Sequence, residues 1–227
     1  NGNCPVESAI QRYTELLQFQ GGSGKKCKAV LLGRGFKPIF LMTATKEKIW
    51  TVEEYHRMIE AGILNEDDRI ELLDGRIVEM ILQTPIHAGT TQRSDRYLQH
   101  LLRDLAEIRV QLPITLATSE PEPDIAVVRI APGGYGDRHP NQEEILLLIE
   151  VSYSTLQIDR REKALIYARA NIAEYWILDV AAREAYIYRN PAPGGYQSEI
   201  VIADHAVMRM LAFPEIEISF SELFLPV

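Results

Sequence analysis

The sequence predicts an α/β domain of the mixed α+β kind, with a central mixed β-sheet flanked by helices, and three observations predict it. Ile145 to Ile149 are five consecutive aliphatics running into Glu150 and Val151, a run apolar on both faces that marks a central strand covered from both sides. The Asp74-Gly75 pair between two short strand-like runs is the strongest hairpin signal in the chain. Stretches of helical periodicity are interleaved with these strands rather than segregated from them.

Taken in order, residues 1–41 stand apart. They carry six basic and two acidic residues, a balance of +4 against −12 for the remainder, and include the linker-like run Gly21, Gly22, Ser23, Gly24. Met42 reads as a natural start, so residues 1–41 are expected to be a disordered leader or an over-extended start, and residues 42–227 the folded domain. Thr51 to Ala61 predicts a helix: Thr51 caps it, Glu54 completes a capping box, Val52, Tyr55, Met58 and Ile59 supply the apolar spacing, and Gly62 ends it. Arg69 to Leu73 and Arg76 to Met80 form the hairpin around Asp74 and Gly75.

A second helix is expected from Ile86 to Ile108, with Tyr97, Leu98, Leu101, Leu102 and Leu105 on its buried stripe. Val110 to Leu116 and Asp124 to Ile130 read as strands, and Pro121 and Pro123 mark the entrance to the second because they cannot donate to a ladder. Gly133 to Asn141 is a loop. After the central strand, a helix capped by Asp159 runs through Leu165, Ile166 and Ala168 to Asn171. Glu174 to Val180, Glu184 to Asn190, Tyr196 to Ala203 and Glu215 to Phe220 read as further strands.

The bulk properties narrow the class. A hydrophobic fraction of 46% and a charged fraction of 25% are those of a globular domain. No apolar run approaches the roughly 18 to 20 residues of a membrane span, and no export signal precedes Cys4 and Cys27, which are read as reduced thiols. A cytoplasmic location and no membrane partner are expected. The net charge of −8 argues against tight non-specific binding of nucleic acid, which draws on a basic face, but not against a carboxylate site.

Chemistry concentrates between Pro123 and Lys163. A carboxylate at the end of a buried strand is costly unless it is paired or binds a cation. Glu150 meets that description, and adjacent strands would bring it to a common edge with Asp124, where two oxygen ligands suit Mg²⁺ or Mn²⁺. The structural alternative for Glu150 is an ion pair with Arg160 or Arg161. Lys163 would stabilise charge developing on phosphate, or merely bridge to Asp159 one turn earlier on a solvated face. Glu71 on the hairpin is a candidate third carboxylate, and His87 at a helix start a phosphate contact or proton relay. Tyr167 reads as a core aromatic that shares the face of Lys163. No phosphate loop, Ser nucleophile elbow or zinc spacing is present.

These residues carry a resemblance. Trp-Thr-Val-Glu-Glu-Tyr at 50–55, Arg-Ile-Glu-Leu-Leu-Asp-Gly at 69–75, His87, Pro-Asp-Ile-Ala-Val-Val at 123–128, Leu-Ile-Glu-Val-Ser at 148–152 and the run from Lys163 to Asp179 resemble the Uma-two family within the restriction-endonuclease-like, PD-(D/E)XK superfamily. The resemblance implies a restriction-endonuclease-like core and Mg²⁺-dependent hydrolysis of DNA. It implies that Asp124 and Glu150 hold the metal, which the Val151 carbonyl is expected to join, and that the site lysine has moved from position 152, a serine here, to Lys163. Two stretches depart from the pattern: Ile81 to Thr84, where Ser and Pro are usual, and Tyr153, where an acidic or small polar residue is common. The rival expectation is a catalytically silent binding or assembly module that keeps the fold and forms a homodimer through its C-terminal strands.

Overall fold

In the computed structural model the chain divides into two units, Asn1–Lys48 and Ile49–Val227. The structure describes residues 46–226, so the leader expected at residues 1–41 lies outside the described residues.

The second unit opens with helix α1 (Val52–Glu60), where the Thr51 side chain accepts from the Glu54 N–H and the Glu54 side chain accepts from the Thr51 N–H, the predicted capping box. Hairpin strands β1 (Ile70–Leu73) and β2 (Arg76–Glu79) pair around Asp74 and Gly75, both at positive φ, as the tight turn requires. Val52, Tyr55 and Leu72 join α1 to this hairpin in a small core of their own. Helix α2 (Pro85–Leu101) follows, capped by Thr84.

The central sheet has six strands in the order β3 (Glu107–Val110), β4 (Ile125–Val128), β5 (Ile145–Ser152), β6 (Glu174–Asp179), β7 (Glu184–Ala192) and β8 (Gly195–Ala203). All neighbours are antiparallel except β5 and β6, which are parallel. A parallel pair needs a crossover. Here it is α3 (Leu156–Ile158), a π turn (Asp159–Lys163) and α4 (Ala164–Arg169). Two short strands, β9 (Val207–Arg209) and β10 (Glu217–Ser219), pair with each other before α5 (Phe220–Leu223).

Side-chain alternation along the strands sends two sets of residues to opposite faces. Ile125, Val127, Leu147, Ile149, Trp176 and Leu178 pack with Leu98 and Leu102 and with Phe220, Leu223 and Phe224 from the C-terminal end. Ala126, Val128, Leu148, Tyr175 and Ile177 pack with Ile166 and Tyr167 of α4. The central strand is covered from both sides, as its aliphatic run predicts.

Three elements differ from the expectations by more than two residues at a boundary. Helix α2 ends at Leu101 rather than near Ile108: Asp104 takes a left-handed conformation, Leu105 is exposed, and Glu107–Val110 gain ladder bonds to β4. The strand expected over Val110 to Leu116 is instead this earlier one, because Gln111 at φ 50° turns the chain and Pro113 follows. The crossover begins at Leu156, so Asp159 is not its cap but a buried residue inside the π turn, accepting from the Thr155 hydroxyl at 2.6 Å.

Candidate active site

The register of β4 against β5 pairs Ile125 with Ile149, which sets Asp124 opposite Glu150 on the face covered by α4. The two residues are clasped through the main chain. The N–H of Val151 donates to Oδ2 of Asp124 at 2.8 Å, and the N–H of Asp124 approaches Oε2 of Glu150 at 3.4 Å. Both are buried, at 7% and 4% exposure.

The helical crossover supplies the positive charge. Nζ of Lys163 lies 3.0 Å from Oε1 of Glu150 and 3.6 Å from Oε1 of Glu71, and the Tyr167 hydroxyl, one turn further on, donates to the same Glu150 oxygen at 2.9 Å. A π turn inside a helix often marks a functional site, and this one ends on Lys163. From the hairpin, Oε2 of Glu71 accepts the N–H of Glu122 at 3.2 Å. From the first turn of α2, Nε2 of His87 meets Oδ2 of Asp124 at 2.9 Å, and Gln111 donates to Oδ1 at 3.1 Å. Nδ1 of His87 is buried with no hydrogen-bond partner among the described residues.

Asp124, Glu150, Lys163, Glu71, His87 and Val151 therefore line one pocket of about 220 Å³, together with Arg69, Gln111, Glu122 and Asp159. The lining holds seven carboxyl side chains against two permanent cations, Arg69 and Lys163. Burial pushes Glu150 up to about 8; Lys163 pulls against that shift, while the charges on Asp124, Asp159 and Glu71 reinforce it. Burial also works against the charge on Lys163, but Glu150, Glu71 and Asp159 outweigh it and hold the amine protonated above its ordinary range. The two shifts differ in their leading cause: burial drives a proton onto Glu150, with the neighbouring carboxylates adding to it, whereas those same carboxylates hold the proton on Lys163 against its burial. Asp124 runs the other way. Burial would raise it, but the hydrogen bond and charge from His87 and the bonds from Val151 and Gln111 hold it below the usual range.

Whether these residues suit a divalent cation rests on donor chemistry. Hard cations take oxygen ligands, and surplus negative charge in a buried pocket is what such an ion offsets. Among the described residues, Oε1 of Glu150 is taken by Lys163 and Tyr167, whereas Oε2 receives only the long contact from the Asp124 N–H, and Oδ1 of Asp124 only Gln111. The donor set fits. Among the described residues, no group of three or more His, Cys, Asp or Glu side chains is arranged to hold a metal ion, so a third ligand would come from the main chain or water.

Among the described residues the cation on Glu150 is Lys163 rather than Arg160 or Arg161, the arginines considered for it, and Arg160 pairs with Glu199 instead. Lys163 is buried rather than solvated. Gln111 and Glu122 had no functional signal in the sequence: Gln111 falls within the stretch expected to be a strand and Glu122 between two prolines, and only the turn at Gln111 and the Glu71 carboxylate bring them in. Tyr167 did have one, its i, i+4 spacing from Lys163.

A family model for Uma2, described as "Putative restriction endonuclease", matches residues 52–221, about three quarters of the chain. Among solved structures, a putative nuclease belonging to DUF820 from Anabaena variabilis ATCC 29413 is 17% identical, with a TM-score of 0.58 covering 77% of this chain and 97% of that one. The central sheet, its flanking helices and this likeness give the domain the restriction-endonuclease-like fold. No curated protein matches the sequence.

Proposed function

The chain belongs to the Uma2 family, and from that premise we propose that it is a divalent-metal-dependent nuclease hydrolysing phosphodiester bonds of DNA in the cytoplasm. One observation carries the reading: Asp124 and Glu150 face each other across β4 and β5 at the bottom of a pocket, with Lys163 on Glu150.

Asp124, Glu150 and the Val151 carbonyl are the groups that would hold Mg²⁺ or Mn²⁺, which when bound supplies Lewis-acid polarisation of the phosphate. The chain's own groups do the rest. Lys163 places a fixed positive charge where negative charge develops on the phosphoryl oxygens and orients the attacking water. Glu71 holds the amine from its other side, from the hairpin. His87 and Gln111 fix the orientation of Asp124, and Tyr167 fixes that of Glu150. Arg69 at the wall is placed to meet the phosphate backbone.

Incubation of the purified protein with DNA and Mg²⁺ or Mn²⁺ tests this. Metal-dependent cleavage lost in Glu150→Ala is expected; no cleavage of any DNA form, or equal cleavage by the variant, would sink it. The rival, a silent module that keeps the fold and dimerises, draws on strand β8, an edge of the sheet that exposes Ile200 and Val201. It expects no heat of Mg²⁺ binding in calorimetry and a dimer by light scattering.

A further inference from the structure

Exposed apolar side chains stand beside the pocket where β5 ends. Ile81 and Leu82, between β2 and α2, and Tyr153, in the bend after β5, line one small recess with His87 and Thr155. Ile81, His87 and Thr155 also line the carboxylate pocket, so the recess opens beside Asp124. Leu82 is 76% exposed, Ile81 50% and Tyr153 49%. Single exposed apolar side chains are ordinary, but three gathered in one recess that adjoins a polar pocket, among Gln83, Thr84 and Ser154, form a surface suited to a ligand with both apolar and polar parts. Among the described residues no hydrogen bond or ring contact holds the Tyr153 side chain, which leaves its ring for a partner from outside.

The charge of the site says which partner. Binding a duplex through its phosphates draws on rows of Lys and Arg that release counterions. The recess has no Lys or Arg, and the pocket beside it is dominated by carboxylates. An aromatic ring needs no charge to hold a nucleobase, and stacking strengthens binding by roughly 5- to 150-fold per base. A base offers its face only when it is unpaired. The depth of Asp124 and Glu150 points the same way, because a phosphate must enter the pocket to reach them. A strand with free backbone torsions does so without the deformation a duplex must undergo.

We infer that the substrate is an unpaired DNA strand, whose base beside the scissile phosphate stacks on Tyr153 and packs against Ile81 and Leu82. The inference rests on the nuclease reading and adds its substrate form. Tyr153 acts here as a specificity residue.

Fluorescence anisotropy of a labelled oligonucleotide, single-stranded or annealed, against the full chain in Ca²⁺ tests it. The single strand is expected to bind at least roughly tenfold tighter than the duplex. Tyr153→Ala should weaken single-strand binding by roughly 5- to 150-fold, with a similar factor between about 50 and 200 mM salt, because stacking releases no counterions. Tyr153→Phe should retain it, and circular dichroism checks that both variants fold. Equal binding of the duplex, or an unaltered Tyr153→Ala protein, overturns the inference and leaves the nuclease reading standing. Binding of neither form by the folded protein overturns both.

Discussion

Nζ of Lys163 sits 3.0 Å from Oε1 of Glu150, on an oxygen it shares with the Tyr167 hydroxyl. The pair joins the crossover helix to the central strand in a buried setting. Removing one partner of such a pair strands the other charge, at a cost of about 3 to 5 kcal/mol. Measured above about pH 8, where Glu150 is ionised, Lys163→Met should therefore lower urea-unfolding stability by about that amount. Adding Glu150→Gln should recover part of the loss, because the stranded carboxylate is gone. A single variant as stable as the wild type would show that the pair is not held in the fold.

The carboxylate pair should carry the activity. Asp124→Asn and Glu150→Gln keep shape and burial while removing the charges proposed to bind metal. Cleavage rates measured with Mg²⁺ should fall by at least about 100-fold in each. A variant that keeps most of its rate would remove that residue from the reaction.

The shift of Glu150 from 4.5 to about 8 sets a pH dependence. Between those values the folded chain keeps a proton that the unfolded chain has lost, so stability falls as pH rises through this window and the contribution is gone above it. Asp124, held low, has the opposite sign: its contribution is present above its unfolded value of 3.8 and is lost as pH falls through the folded one. Urea unfolding in chelator should thus show stability declining from about pH 5 to 8. Mg²⁺ should flatten the decline by favouring ionised Glu150, and Glu150→Gln should reduce it, leaving the part that the raised Asp159 and Glu122 carboxyls contribute. An identical slope in the variant would assign it elsewhere.

The hairpin that brings Glu71 to the site depends on one glycine. Gly75 has φ +74°, and a Cβ there would stand 2.8 Å from the Trp50 carbonyl oxygen. The main chain is committed as well, since the Gly75 N–H donates to Thr118 and its carbonyl accepts from Trp50. Gly75→Ala should cost at least about 1 to 2 kcal/mol in thermal or urea unfolding. It should also weaken the contact of Glu71 with Lys163, seen as reduced activity in the remaining folded protein.

Burial of a carboxylate was a sound guide to Glu150 but not a sufficient one. Glu174 opens an equally apolar strand and is fully buried, yet it lies outside the pocket: Arg189 donates to it at 2.8 and 2.5 Å, Trp176 at 2.9 Å and the Leu211 N–H at 2.6 Å. Its partners satisfy it within the protein. Glu150 has one amine shared with Glu71 and an oxygen without a strong donor. The two glutamates look alike along the chain, and only their neighbours separate a structural carboxylate from a site one.

The sequence by itself determined the local elements: the Thr51 capping box, the Asp74-Gly75 turn, the doubly covered strand at Ile145, and the carboxylates at the strand ends. Each is written within a few residues, where steric limits and hydrogen-bond geometry act directly. Tertiary structure decided the rest. Lys163 chose Glu150 over Asp159, Gln111 and Glu122 entered the pocket, and β3 formed earlier than its apolar pattern suggested. Those outcomes depend on strand register and on contacts between residues 13 to 51 positions apart. No local period encodes which distant donor a buried carboxylate will meet.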